Sequence, residues 1–340
     1  MKTFAWLAVQ LRRCCVIGAP GLSLIALVTL ACSSLAAPAP PVPVHYFEDL
    51  FSTAITPAAW WLVGSKSLVL VSADKGRHWE RRSLKERSGG SLMQDFDLYS
   101  IRFAADGKAG WIGGEHGLIF YTGDGGDSWQ PRPAPMDENV FRVAPVDSRT
   151  ACAVGTDGML LCTADAGEHW TPHVVSKFID LNDITFVGEE GWAVGEYRTI
   201  MHTSDGGATW QLQLGGNPKI LEEESYFAVA FADAQHGWVA GLAGEVASTD
   251  DGGHTWRQSG GNGRPSIFAI GPAWPAIWFG GKRGVLLERT NDDRWHDIRI
   301  SFGDITDIAF DNRTGIATGL GGTVLQTMDG GNSWHSVDVE

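Results

Sequence analysis

The stretch Thr203-Ser204-Asp205-Gly206-Gly207-Ala208-Thr209-Trp210 decides the fold, because the chain repeats it. The same anchors recur in Ser72–Trp79, Thr122–Trp129, Thr163–Trp170, Thr249–Trp256 and Thr327–Trp334: a Ser or Thr, then Asp, Gly and Trp at offsets of two, four and seven. Thr290–Trp295 is a shortened copy that keeps Asp292 and Trp295 without the Gly, which brings the total to seven. The chemistry is that of a tight turn between two strands. Asp accepts hydrogen bonds from backbone N–H groups two residues on, and the hydroxyl closes the other side of the turn. Gly supplies a positive φ that a side chain resists, and Trp starts the next strand and buries a large ring. A residue that recurs in every unit of an array serves the array, so Asp74, Asp124, Asp165, Asp205, Asp251, Asp292 and Asp329 are read as structural. The alternating acidic ligands and closing Glu of a calcium loop are missing, and no metal is expected.

A second constant lies upstream. Trp61, Trp111, Cys152, Trp192, Trp238 and Ile316 each precede a box Trp by 18 residues, and Trp278 precedes its own by 17. The surrounding text is Gly-Trp-apolar-x-Gly, as in Gly191–Gly195 and Gly237–Gly241. A loop and an apolar strand follow, and another short apolar segment precedes, as in Leu98–Phe103 and Ile305–Phe310. Each unit is therefore four short strands, lettered A to D, and the box Trp residues are spaced by 50, 41, 40, 46, 39 and 39. Units of that length with four strands are blades of a β-propeller. The expectation is an all-β, seven-bladed propeller over residues 46–340. Each blade is contiguous in sequence, without the strand exchange that closes many propellers.

Blade geometry separates two faces. The A–B and C–D turns, and so the Asp boxes, lie on one. The B–C turns and the D–A links between blades lie on the other, here called the upper face. The longest links, Glu80–Phe96 and Gln211–Glu224, are on the upper face, where extra length tends to carry function. Aligning the A strands gives a rim column of Asp49, Asp97, Asn139, Asp180, Ser225, Ser266 and Asp304, each followed by an apolar residue. Two readings stay open. These residues close the entering turn by bonding backbone N–H groups, or they form an anionic channel mouth that receives a cation or basic peptide.

Across the whole chain, 44% hydrophobic and 19% charged residues are globular proportions. The net charge of −14 argues against wrapping nucleic acid and favours solubility and cationic partners; a monomer is expected. At the N-terminus, Lys2, Arg12 and Arg13 precede an apolar run from Cys14 to Leu30 and then Ser34-Leu35-Ala36-Ala37. This reads as an export signal over 1–37, with a Pro- and Ala-rich lead-in over 38–45. Thr29-Leu30-Ala31-Cys32 approaches a lipoprotein box, so the alternative is a lipid anchor at Cys32. Export predicts a periplasmic or lumen-like location. Cys152 and Cys162 flank Gly155-Thr156-Asp157-Gly158-Met159, a hairpin that places 152 opposite 162 and Gly158 in the left-handed region. An oxidising compartment makes a disulfide one reading, and a pair of buried thiols is the other.

No nucleophile motif, phosphate loop or trusted His pair is present, and no cofactor is expected. Glu222-Glu223-Glu224 with Tyr226, and Phe141–Pro145, invite comparison with sialidases, which also carry Asp boxes. Xyloglucanase-type glycosidases use two such propellers and two carboxylates. An Asp-box glycoside hydrolase is therefore the alternative class. Tyr226 fits the apolar A-strand column, which reads as core.

The combination of Gly-Trp-x-x-Gly, the 18-residue step and Thr-x-Asp-Gly-Gly-x-x-Trp resembles the photosystem II stability/assembly factor family over residues 46–338. The resemblance implies a non-catalytic exported propeller that holds a membrane protein or its assembly intermediate. Family members from oxygenic phototrophs carry an arginine-rich surface patch. Arg81, Arg82, Lys85 and Arg87, in the first long link, are the residues that stand in for it here.

Overall fold

The computed structural model describes residues 48–84, 95–173, 175–216, 224–260, 264–273, 275–290, 294–299 and 303–339. The expected signal and lead-in segments, Cys32, Lys85, Arg87, Glu222, Glu223 and Asp292 lie outside these residues. The described residues form seven antiparallel four-stranded sheets, each in simple A-B-C-D order. In blade 1 the strands are Leu50–Ile55, Trp60–Gly64, Val69–Ser72 and Glu80–Arg81. In blade 7 they are Ile305–Asp311, Thr314–Gly319, Thr323–Thr327 and His335–Ser336. No sheet borrows a strand from another among the described residues. Strand A of blade 1 nevertheless lies against strand A of blade 7, which closes the ring.

The core sits between blades. Seven apolar clusters each fill one junction; Trp61, Ile101, Phe120 and Trp129 belong to the blade 1–2 cluster, and Trp60, Leu70, Ile316 and Val324 to the blade 7–1 cluster. Strand B therefore has a neighbour on both faces, and Trp60–Gly64 is buried at all five positions. That is why these strands read as continuous apolar runs rather than alternating ones. Strand D is the outer edge and is short, two residues in blades 1, 2, 3 and 7, which limits pairing with other chains.

Both glycines of Gly-Trp-x-x-Gly now have a cause. A Cβ on the second would run into the backbone carbonyl of the rim residue in every blade: Gly64 against Asp49, Gly155 against Asn139, Gly319 against Asp304. A Cβ on the first would strike the last aromatic of strand A, as Gly191 would strike Phe186 and Gly315 would strike Phe310. In the boxes, Thr203 Oγ1 donates to Asp205 Oδ1 at 2.7 Å and accepts from Gly207 N at 3.1 Å. The Asp carboxylate reaches further than the expected two residues, taking Thr209 N at 2.8 Å and Thr209 Oγ1 at 2.6 Å. Gly206 and Gly207, at φ 69° and 92°, curl the chain back to make that reach short. Hydrogen bonds from the Thr209 side chain and backbone lower the Asp205 carboxyl to about 2.

The second box glycine also meets the preceding blade. A Cβ on Gly126 would overlap the Trp61 ring, and one on Gly331 the Trp278 ring. Trp61 and Trp129 pack edge to face at 6.2 Å, and Trp278 and Trp334 at 5.4 Å. Blade 3 solves the same packing problem differently. Cys152 faces Cys162 across strands B and C and is joined to it in a disulfide, with 4.1 Å between Cα atoms. The bridge packs under Gly207 of blade 4, where other blades put an indole. In the hairpin loop both Asp157 and Gly158 have positive φ, so the left-handed stretch is one residue longer than the sequence indicates.

Candidate functional site

The residues that line the channel come from strand A. Each strand A carries an irregular register just past the rim, such as Leu50/Ser52, Leu98/Ser100 and Ile305/Asp307. Such a bulge leaves one residue unpaired and re-aims its side chain. At that position stand Phe51, Tyr99, Phe141, Phe227 and Phe268, which meet as neighbours: Phe51–Tyr99 at 5.5 Å, Tyr99–Phe141 at 6.0 Å and Phe227–Phe268 at 5.6 Å. Blades 4 and 7 use polar side chains there. Asn182 Nδ2 donates to Tyr226 O at 2.7 Å, and Thr306 Oγ1 to Leu50 O at 2.8 Å, each reaching the next blade.

The rim column, above these aromatics, is engaged between blades. Asp97 Oδ1 accepts from Lys66 N at 3.1 Å and Asn139 Oδ1 from His116 N at 3.2 Å. Asp180 Oδ1 accepts from Asp157 N at 3.0 Å, Ser266 Oγ from Ala243 N at 3.2 Å and Asp304 Oδ1 from Arg283 N at 2.7 Å. Asp49 Oδ1 accepts from Gly321 N at 2.8 Å, joining blade 1 to blade 7. Every donor is a B–C turn residue of the preceding blade with φ between 53° and 65°. At Ser225 the equivalent junction is made by backbone, Arg198 N to Glu224 O at 3.1 Å. The carbonyl of each rim residue also takes an N–H of its own B–C turn, as in Ser65 N to Asp49 O and Leu242 N to Ser225 O, both at 2.9 Å. Burial raises the Asp97 carboxyl; the Lys66 N–H opposes this, and the charges of Glu115 and Asp49 add to it. These side chains thus latch the B–C turn of the preceding blade, rather than the entering turn of their own.

Three residues past the rim is a second ring, which sequence alignment on the strand ends does not single out: Ser52, Ser100, Arg142, Asp183, Ala228, Ala269 and Asp307. Asp307 is fully covered. Its Oδ2 accepts from Ser52 Oγ at 2.8 Å, Thr53 N at 2.9 Å, Arg102 Nη1 at 3.0 Å and Arg142 Nη1 at 3.3 Å, and its Oδ1 from Arg102 Nη2 at 3.0 Å. Arg142 Nε donates to Asp183 Oδ1 at 2.8 Å. Burial pushes the Asp307 carboxyl up, but Arg102 and Arg142 outweigh it and hold it at about 2. Burial likewise works against the Arg142 cation, and Asp183 and Asp307 more than offset that. Two carboxylates and two guanidinium groups make a neutral buried quartet. The sequence signal for it was an ionisable residue inside an apolar strand, visible at Arg102, Arg142, Asp183 and Asp307. A cavity of about 280 Å³ lies beside the quartet, and its wall reaches Ile55, Phe103 and Phe310 at the A–B ends of the strands.

A second concavity, about 420 Å³, lies at the outer edge between blades 1 and 2. Trp61 and Trp129 form its apolar part, and Arg81, Arg82, Ser83 and Asp127 its polar part. The Arg82 guanidinium stands 5.8 Å from the Trp61 ring centroid, and Arg81 Nη1 lies 3.2 Å from Glu48 Oε2. The structure therefore places Arg82, in the described half of the basic link, over the buried Trp61 ring, and Arg81 beside Glu48. Tyr226, in contrast, is 2% exposed and packs in the blade 4–5 junction, with Arg198 between Glu224 and Glu245 nearby. Among the described residues no group of three His, Cys, Asp or Glu side chains is placed to hold a metal ion.

Comparison with known proteins gives the following. The family model described as "Photosynthesis system II assembly factor YCF48" matches residues 45–133 and 129–222, more than half of the chain. Photosystem II assembly lipoprotein Ycf48 of Synechococcus sp. (strain CC9902) is 38% identical over 73 residues, 22% of this chain and 20% of that protein. Photosystem II stability/assembly factor HCF136 of Arabidopsis thaliana is 30% identical over 77 residues, 23% of this chain and 18% of that protein. The match thus spans about a fifth of the length of these curated relatives. Among solved structures, YCF48 bound to a D1 peptide superposes with a TM-score of 0.65 at 19% identity, covering 84% of this chain and 95% of that one. YCF48 from Cyanidioschyzon merolae gives 0.65 at 16% identity, covering 86% and 98%. At those identities the superpositions establish the propeller fold.

Proposed function

This chain belongs to the photosystem II assembly factor YCF48 family, and from that premise we propose that it is an exported, non-catalytic propeller that holds a segment of a membrane protein during assembly. The observation that carries the reading is the cavity between blades 1 and 2. It lies within the family-matched region, is lined by the exposed Arg81 and Arg82, and sets Arg82 over the Trp61 ring. Two exposed guanidinium groups lining a concavity suit an extended peptide with acidic side chains: the concavity supplies shape and the guanidinium groups fix a carboxylate. A relative is known bound to a D1 peptide, which is a peptide partner of the same general kind. Export through the 1–37 segment, with either cleavage near Ala36–Ala37 or lipidation at Cys32, places the propeller on the periplasmic or lumenal side of that membrane.

The test is site-specific photocrosslinking. A photoreactive residue at Ser83, which is exposed at this cavity, is expected to capture a membrane protein in envelope preparations. The same probe at Arg313, on the Asp-box side of blade 7, is expected to capture none. Equal capture at both positions, or glycosidase turnover by the purified protein, would overturn the reading.

A further inference from the structure

The channel cavity has a chemistry of its own, separate from the blade 1–2 edge. Strand A turns its free backbone edge to the channel, so the N–H four residues past the rim needs an acceptor from elsewhere. In six blades a side chain of the second ring supplies it. Ser52 Oγ accepts from Ile101 N at 3.2 Å and Ser100 Oγ from Val143 N at 3.1 Å. Asp183 accepts from Ile184 N at 2.9 Å and Val229 N at 3.0 Å, and Asp307 from Ile308 N at 3.1 Å and Thr53 N at 2.9 Å. In blade 6 the equivalent donor is Ile270 N. Its acceptor, by the rule of the other junctions, would be the second-ring side chain of blade 5 or of its own blade. Those residues are Ala228 and Ala269, which have none.

Ile270 lines the 280 Å³ cavity, and so does Arg102 from blade 2. The Arg102 side chain is 28% exposed, whereas that of its partner Asp307 is 4% exposed. Arg142 and Asp183 are each 9% exposed. The charge that the cavity presents to its contents is therefore positive, although the quartet as a whole is neutral. Apolar residues such as Val229, Phe231, Ile308 and Phe310 contribute to the remaining wall, but the surface it presents is more polar than apolar.

We propose that this cavity binds a small organic acid. Its carboxylate meets the Arg102 guanidinium, its short carbon body spans the cavity, and a second oxygen accepts from Ile270 N–H. A charge-assisted bond to arginine is stronger than a neutral one, and the Ile270 N–H offers a second donor, so an acid with two oxygens can use both contacts at once. The volume lies near the lower end of ligand pockets, so the occupant is a small molecule or the end of a peptide. A free acid and the terminal carboxylate of a peptide share this chemistry.

The experiment is isothermal titration of the purified protein with butyrate, benzoate, succinate and 2-oxoglutarate, with butyramide and benzamide as uncharged controls. A pair of short peptides ending in valine, one as the free acid and one as the amide, completes the panel. At least one acid or the free-acid peptide is expected to bind while its amide does not, and which one binds identifies the source of the carboxylate. Ala228→Ser gives Ile270 the acceptor that Ser52 and Ser100 provide elsewhere, and should weaken binding at least tenfold without lowering the melting temperature. Arg102→Gln should remove the preference for acid over amide. The proposal is overturned if no acid and no free-acid peptide binds, or if Ala228→Ser binds like the parent. The serine variant decides the matter even where Arg102→Gln fails to fold.

Discussion

The rim ring and the second ring sit three residues apart on the same strands, yet they obey different rules. At the rim, six small polar side chains accept from the preceding blade's B–C turn, and the ring closes from Asp49 to Gly321. In the second ring the residues are two Ser, one Arg, two Asp and two Ala, and the bonds run unevenly. Repetition reports what every blade needs, which is a fixed distance to its neighbour. Irregularity reports what one place in the ring needs, and it concentrates charge there. The comparison also separates two energies: a rim latch is a single half-exposed hydrogen bond, whereas the quartet is a network whose members cannot be removed singly without stranding a charge.

The largest expected effect follows from that second property. Asp307→Ala leaves Arg102 and Arg142 partly uncompensated in a buried site, a loss of about 3–5 kcal/mol measurable by denaturant unfolding. The same carboxyl has a pH signature. Its folded value of about 2 lies below the ordinary 3.8, so its contribution is fully present above the ordinary value and is lost as pH falls towards 2. Melting temperature against pH should drop through that window, and Asp307→Asn should start lower and lose this component of the drop.

Next in size is the disulfide that replaces an indole at the blade 3–4 junction. With its cysteines ten positions apart, Cys152→Ser with Cys162→Ser should cost about 3 kcal/mol, read as a lower denaturation midpoint. Gly155→Ala tests the rim from the backbone side, since its methyl would enter the space of Asn139 O. A loss of about 1–3 kcal/mol is expected from such overpacking. An unchanged melting temperature would mean the rim carbonyls can shift and are not the fixed points described here. The smallest effect belongs to a single latch. Asp97→Ala should cost about 1 kcal/mol. Asp97→Asn keeps the acceptor and removes a charge that burial disfavours, so at neutral pH it should be neutral or slightly stabilising.

Much of this was legible in the amino-acid chain because it repeats. The box at Thr203–Trp210, the step from Trp192 to Trp210 and the glycines at 191 and 195 give seven contiguous blades and the rim column, since each recurs with the blade period. The quartet was not legible for the same reason. Arg102 lies five residues past its rim residue and Arg142 three past its own, and only a bulged strand folded into a ring brings both to Asp307 on the last blade. The Arg82–Trp61 edge was half legible: the basic residues stand out in the link, but the concavity beside them is completed by the next blade, in Gly126, Asp127 and Trp129. The choice between a disulfide and two thiols depends on the side-chain geometry of one cross-strand pair, which spacing alone leaves open.

The central claim is that the repeated ring holds the fold while an unrepeated edge meets the partner. The direct measurement is partner capture and melting temperature on two variants side by side: Asp97→Asn with Asp180→Asn and Asp304→Asn, and Arg81→Glu with Arg82→Glu. The account predicts that the first keeps both the partner and a melting temperature within a few degrees of the parent. The second loses the partner with a melting temperature within a few degrees of the parent, because Arg81 and Arg82 are exposed and their contacts with Glu48 and Trp61 are single surface contacts. Loss of the partner by the triple asparagine variant at full stability, with the arginine variant still binding, would contradict it.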